Sequence, residues 1–272
     1  MVLIDFQIII ELAALGLMTG FVAGLMGVGG GILVAPFLTI ILSSRGVDAD
    51  LAVKISIATS MATIVFTSLS SVRAHHRRGA VRWDLVKGLA PGIVVGGVIG
   101  SMGIFSLLRG TWLAVLFALF ISLFAVQLLR GTGAVQRRAM PGMWGQLGAG
   151  SVVGLLAGLV GAGGAFISMP FMLAHDVALI NAVATSAALG FPVALVNAAG
   201  YVVSGLGHAG LPSGSLGYVW LPALAAIACC SVLTAPLGAR MAHSLPVAYF
   251  KRVMSGILLI LAGYMLWKGL HG

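Results

Sequence analysis

Glycine, proline and hydroxyl residues recur in one order at two places in this sequence. Gly27-Val28-Gly29-Gly30-Gly31 is followed by Pro36, and Gly161-Ala162-Gly163-Gly164-Ala165 by Pro170; an Ala-Thr-Ser triplet lies downstream of each, at Thr59-Ser60 and at Thr185-Ser186. Glycine costs a helix about 1 kcal/mol per site relative to alanine, and proline removes a helical hydrogen bond, so each cluster should interrupt a helix. A helix that restarts after such a break presents free N–H donors and partial positive charge, which suit a small anion. The competing reading is a hairpin turn with no ligand. The hydroxyls can donate to the same anion or bond to the backbone one turn earlier. The candidate substrate-lining residues are therefore Gly29, Gly30, Gly31, Thr59, Ser60, Gly163, Gly164, Ala165, Thr185 and Ser186, with Gly27, Pro36, Gly161 and Pro170 shaping the breaks.

The elements that must carry these residues are membrane helices. Of the 272 residues, 60% are hydrophobic and only 8% charged, too few charges to cover a water-soluble surface. Apolar runs near 20 residues recur, the length that crosses a hydrocarbon core of roughly 30 Å. The short alternating segments of a β-barrel do not occur. The fold class expected is an all-α polytopic membrane protein. The segments that follow the glycine clusters, Ile32–Ser44 and Phe166–Ala174, are short: about 20 Å of helix and less. Irregular backbone at membrane depth survives where it is buried in protein or lines a polar cavity.

The two glycine motifs align without a gap at an offset of 134 residues. The chain therefore divides into repeat one (6–129), a linker (130–144) and repeat two (145–268). Pro91 opens a late apolar segment in the first as Pro222 does in the second. Loop charge decides how the repeats sit. The loop 73–87 carries Arg73, Arg77, Arg78, Arg82 and Lys87, the linker Arg130, Arg137 and Arg138, and the stretch 239–252 Arg240, Lys251 and Arg252; together these are eleven of the fifteen Lys and Arg. If every segment changes side, or each short pair dips in and returns, all three stretches share one face, the cytoplasmic one, and both termini are periplasmic. Taking each broken pair as one span instead puts Arg240, Lys251 and Arg252 outside. The counterpart of 73–87, Gly205–Gly217, has no Lys or Arg. Equivalent loops of opposite character predict two inverted repeats, each with a broken helix pair and three further helices. Eight spans result if each pair counts once, and up to ten segments otherwise.

Other chemistries find little support. The net charge of +9 is loop charge, not a nucleic-acid surface. HExxH, GxSxG and GxxxxGK[ST] patterns do not occur, so no enzyme is expected; neither is a cofactor or metal. Cys229 and Cys230 read as small core residues. The N-terminus lacks a basic n-region and a cleavage pattern, so a cleaved leader is not expected. Asn197 and Gln127 are further polar residues inside apolar runs. Gly16, Gly20 and Gly24, like Gly150, Gly154 and Gly158, form ridges for tight helix packing.

The two glycine motifs, each with its proline and Ala-Thr-Ser segment, together with the basic stretch Arg73–Asp84, resemble the TauE/SafE family of sulfite and organosulfonate exporters. The resemblance covers nearly the whole chain. It implies an exporter of small sulfur-containing anions in the cytoplasmic membrane, a homodimer in some members, and a site where the glycine motifs meet. By position that site takes in Gly29, Gly30, Gly31, Gly163, Gly164 and both Thr-Ser pairs. Ala165 departs from the pattern, standing where the first motif has Gly31. The expected partners are a small anion and the lipid bilayer. A permease for an unrelated solute and a membrane scaffold are the alternatives.

Overall fold

The structure, a computed structural model, describes residues 5–26, 30–130, 139–241 and 247–271. The helices are α1 (Phe6–Met26), α2 (Gly31–Ser44), α3 (Ala49–His76), α4 (Trp83–Val98), α5 (Phe105–Leu107), α6 (Gly110–Arg130), α7 (Met143–Val160), α8 (Ala165–Ala174), α9 (Leu179–Gly205), α10 (Leu221–Met241) and α11 (Val247–His271). A π-helical segment, Ile99–Ile104, joins α4 to α5, and two two-residue strands, β1 (Ser215–Leu216) and β2 (Val219–Trp220), pair between α9 and α10. Among the described residues eight helical stretches are long and apolar enough to cross a membrane, α4 to α5 counting as one; α2 and α8 are shorter. The protein is an all-α polytopic membrane protein.

The ends of α3 define two faces. Asp48 caps its start, its carboxylate accepting from the N–H groups of Asp50 (3.0 Å) and Leu51 (3.2 Å), the expected use of an acidic N-cap. Its last turn is basic, with Arg73, His75 and His76. At the acidic end Arg45, just past α2, pairs with Asp5 (3.1 Å) and Glu11 (3.5 Å) at the start of α1. The Ile8 N–H and then Arg45 hold the Asp5 carboxyl below the usual range. At the other end of α2, Gly30 backs onto Thr19 and Ala23 of α1. Helices α1 and α2 are therefore antiparallel, a hairpin opening to the acidic end. This excludes the reading of a broken pair as one interrupted span. In the second half, Gly164 backs onto Val153 and Ala157 of α7. Asn181, in the first turn of α9, donates to the Ala80 carbonyl (2.8 Å), so the α7–α8 hairpin opens to the basic end.

Both short helices stop in the same way. After α2, the Val47 N–H reaches the Leu42 carbonyl and the Gly46 N–H that of Ser43 (both 3.1 Å); after α8, the Val177 N–H reaches Met172 (3.1 Å). This is Schellman closure, which needs a left-handed residue just past the cap. Gly46 (φ 78°) supplies it in one half and Asp176 (φ 60°) in the other, both exposed.

Small residues set the packing. Helix α1 lies along α10 and α4 along α7. Gly16 faces the backbone at Ile227 and Gly20 that at Ser231; Gly92 and Gly96 face Leu147 and Ser151; Gly150 and Gly154 face Leu89 and Ile93. The expected glycine ridges are thus helix contacts, in the manner of membrane bundles. Helix α3 packs on α9, and α6 on α11.

Some sequence expectations change. Pro36 and Pro170 lie inside α2 and α8, and Pro91 inside α4, instead of breaking or opening a helix. Within an apolar membrane bundle the backbone has no water to turn towards, so the helix continues through each proline. Neither cysteine is in the core: Cys229 is exposed on the outer face of α10, and Cys230 is half-buried at the contact with Gly16 of α1.

With the native cysteines replaced by alanine, Arg78→Cys and Gly210→Cys should be labelled from opposite faces of sealed vesicles. Labelling of both from one face would contradict this helix order.

Candidate functional site

The two glycine turns meet at the middle of α3. The Ser60 hydroxyl lies 2.8 Å from the carbonyl oxygen of Gly31 and 3.0 Å from that of Gly161. One hydroxyl proton is thus shared between carbonyls of the two halves. A Cβ on Gly31 would press on Ser60 and Ile64, and one on Gly161 would come within 2.9 Å of Ile57. All four contacts lie within Ile57–Ile64 of α3. The Gly163 carbonyl lies beside Gly190 of α9, next to Ser68 of α3.

The turns take shape because their glycines accept left-handed backbone. Gly30 (φ 68°) caps the start of α2; Gly161 (φ 73°) ends α7, and Gly163 (φ 51°) and Gly164 (φ 73°) lead into α8. Neither short helix has a side-chain N-cap hydrogen bond; in the first turns the Leu33 and Ile167 N–H groups bond back to the Gly30 and Gly164 carbonyls (both 3.1 Å). Gly27 and Gly29, part of the expected site, lie outside the described residues.

The remaining hydroxyls separate into two pairs. Thr59 accepts from the backbone N–H of Trp220 (3.0 Å), just before α10. Thr185 accepts from the backbone N–H of Arg82 (3.0 Å), just before α4. Each threonine therefore anchors the entry of a helix from the other half. Ser186 accepts from Ser168 of α8 (3.0 Å). These bonds reach 103 and 161 residues along the chain for the threonines, instead of the local bond one turn back. Thr59, Ser60, Ala165, Thr185 and Ser186 are all buried, as are Gly30, Gly31 and 161–164. Of the expected site residues, the structure joins Gly31, Ser60 and Gly161 directly. Gly30 and Gly164 face their own hairpin partners.

A second polar cluster adjoins the π-helical segment. Asn197 donates to the carbonyls of Val193 (2.8 Å) and Gly154 (3.4 Å), and its side-chain oxygen has no hydrogen-bond partner among the described residues. Tyr201 donates to Gly158, and Ser101 to Gly97 (2.7 Å). Gln127, the other polar candidate, is exposed on α6.

The residue that sequence reading passed over is Lys54. It lies in α3 between Asp50 and Thr59 and is buried, with 6% of its surface exposed. Its signal was present: a lysine near the start of the apolar run 51–72. Among the described residues no three His, Cys, Asp or Glu stand together as a metal site.

Ser60→Ala would leave the buried Gly161 carbonyl without this donor and remove a second bond, to Gly31; it should lower stability by about 1–3 kcal/mol, read as unfolding in detergent. Ser44→Ala, at an exposed local bond to Ile41, should change it little.

The family model described as "Sulfite exporter TauE/SafE" matches residues 12–265. A "Probable membrane transporter protein" of Haemophilus influenzae is 31% identical over 265 residues, covering 97% of this chain and all of that protein. The "Probable membrane transporter protein YunE" of Bacillus subtilis is 29% identical over 185 residues, 60% of this chain and 66% of that one. A "Probable membrane transporter protein" of Methanocaldococcus jannaschii is 24% identical over 194 residues, 68% of this chain and 70% of that one. No solved structure gives a significant match. With its hairpin-bearing membrane fold and a match over nearly its whole length, the chain belongs to the TauE/SafE sulfite exporter family and is a membrane transporter.

Proposed function

We propose that the protein is a secondary transporter that exports a small sulfur-containing anion, sulfite or a sulfonate, across the cytoplasmic membrane by alternating access. The observation that carries this reading is the meeting of both glycine turns at Ser60. Amide-rich helix starts brought together at mid-membrane suit a small oxyanion. The substrate would be held by the first-turn amides of α2 and α8 and by Ser60 and Ser186, once their present bonds give way.

Alternating access follows from treating the halves, 6–129 and 145–268, as inverted repeats. The packing of α1 on α10 has its counterpart in α7 on α4. The bond from Thr59 to the entry of α10 has its counterpart in that from Thr185 to the entry of α4. One hairpin opens to the acidic end and the other to the basic end. Rocking one half against the other would expose the shared centre to each face in turn. The basic end, 73–87, faces the cytoplasm on this reading, where its arginines raise the local anion concentration.

In proteoliposomes a sulfite or sulfonate gradient should drive protein-dependent flux. Gly164→Val forces a β-branched residue into left-handed backbone and against Val153. It should cut flux at least tenfold while the protein still inserts. Indifference of the wild type to every sulfur oxyanion would remove the substrate; undiminished flux in Gly164→Val would remove the site.

A further inference from the structure

Lys54 is the buried cation that the central site does not use. It lies six residues before Ser60, about 9 Å along the helix axis, towards the acidic end. Its ammonium is 3.9 Å from the Asp50 carboxylate, longer than a hydrogen bond, and 5.7 Å from the centre of the Tyr218 ring. An ammonium has three N–H donors, and this one makes no hydrogen bond of ordinary length among the described residues. Burying a charge so loosely partnered is costly in a membrane protein, and such residues mark ligand paths.

The surroundings are built for an occupant. A cavity of about 390 Å³ lies between the α2–α3 loop and the loop 208–213, with Asp48, Asp50, Leu51 and His208 among its walls. Asp50 is common to the cavity and to Lys54. Lys54 stands behind Asp50, outside the cavity wall; the arginine in that wall, Arg45, is held by Asp5 and Glu11. Asp48 is spent on capping α3. Asp50 makes only a long contact to the Thr111 N–H (3.4 Å) besides Lys54. Tyr218, whose ring faces the Lys54 ammonium, packs on Phe105 and on His208 of the cavity wall. Burial, then the Asp50 charge, pushes its phenol above the ordinary range, so it stays a neutral O–H donor. The strand pair that carries Tyr218 is tied through Trp220 to Thr59, one residue from Ser60.

We propose that Lys54, with Asp50 as its displaceable counter-ion, is a second binding station for a small oxyanion, between the central turns and the acidic-end exit. The ligand is of the sulfite or sulfate class, and the proposal rests on the anion-transport reading above. An arriving oxyanion takes Lys54 from Asp50, and Asp50 turns into the cavity; re-pairing of Asp50 with Lys54 then releases the anion outward.

The test measures sulfite and sulfate binding by calorimetry on detergent-purified protein, beside flux of the same anions in proteoliposomes. Lys54→Gln should weaken binding at least tenfold and Lys54→Arg should largely keep it. Asp50→Asn should strengthen binding several-fold by removing the competitor. The opposite signs separate this role from a structural one, in which Lys54→Gln and Asp50→Asn would both lower the unfolding temperature and weaken binding together. Lys54→Gln binding like wild type, Asp50→Asn weakening it, or wild type binding neither anion overturns the proposal. Lys54-dependent binding without transport would leave the station standing and remove the exporter reading. Transport of sulfite with unchanged Lys54→Gln binding would do the reverse.

Discussion

Backbone released from a helix inside hydrocarbon has no water to turn to, so each freed carbonyl must find a donor in the protein. At the centre of this molecule one serine hydroxyl, that of Ser60, meets that requirement for the carbonyl freed where α7 ends, Gly161, and also reaches the first carbonyl of α2, Gly31. Those carbonyls come from turns that enter from opposite ends of the bundle. The rest of the architecture follows from this: α3 must run through the middle, the hairpins must be short enough to stop at it, and their glycines must admit left-handed backbone. The threonine next to Ser60, Thr59, extends the arrangement outward by fixing where α10 begins.

Close helix contact supports that centre. Lipid tails are as apolar as leucine, so helices gain little from the hydrophobic effect by associating and depend on contact between well-fitted surfaces. The ridges on α1, α4 and α7 let backbone meet backbone along α1–α10 and α4–α7. Those two pairs hold α1 and α7, while α2 packs on α3 and α8 on α9. The π-helical segment packs on α7 and α9, with Gly100 against the backbone of Leu155 and Gly200 against the Ser101 side chain.

Much of this was legible in the sequence because it rests on local rules. Run lengths mark the long helices, glycine runs mark the turns, and the loop charges correctly separate Arg73–Lys87 from Gly205–Gly217 as opposite ends of α3 and α9. What was not legible depends on partners far along the chain. Nothing near Thr185 indicates that its acceptor oxygen serves Arg82, or near Ser60 that it reaches Gly161. Prolines mislead for a related reason: Pro36, Pro91 and Pro170 break helices in water but persist in a medium offering the backbone no alternative. Lys54 was hidden because one charge does not disturb the apolar run around it, and only the fold reveals how little stands opposite its ammonium.

The left-handed positions at the two ends of the short helices differ in what they tolerate. At the exposed closures, Gly46 in one half is matched by Asp176 in the other, because an aspartate can adopt that conformation and keep its charge in water. At the buried turns, Gly30, Gly161 and Gly164 have no such substitute. Every amino-acid-changing single-base substitution in a glycine codon brings in a Cβ or a stop, and the one such product at ease with this backbone, aspartate, would carry a carboxylate into the membrane interior. Genetic drift can therefore trade residues at the rim of each hairpin, while at its tip every replacement one base away is a lesion and only synonymous changes pass.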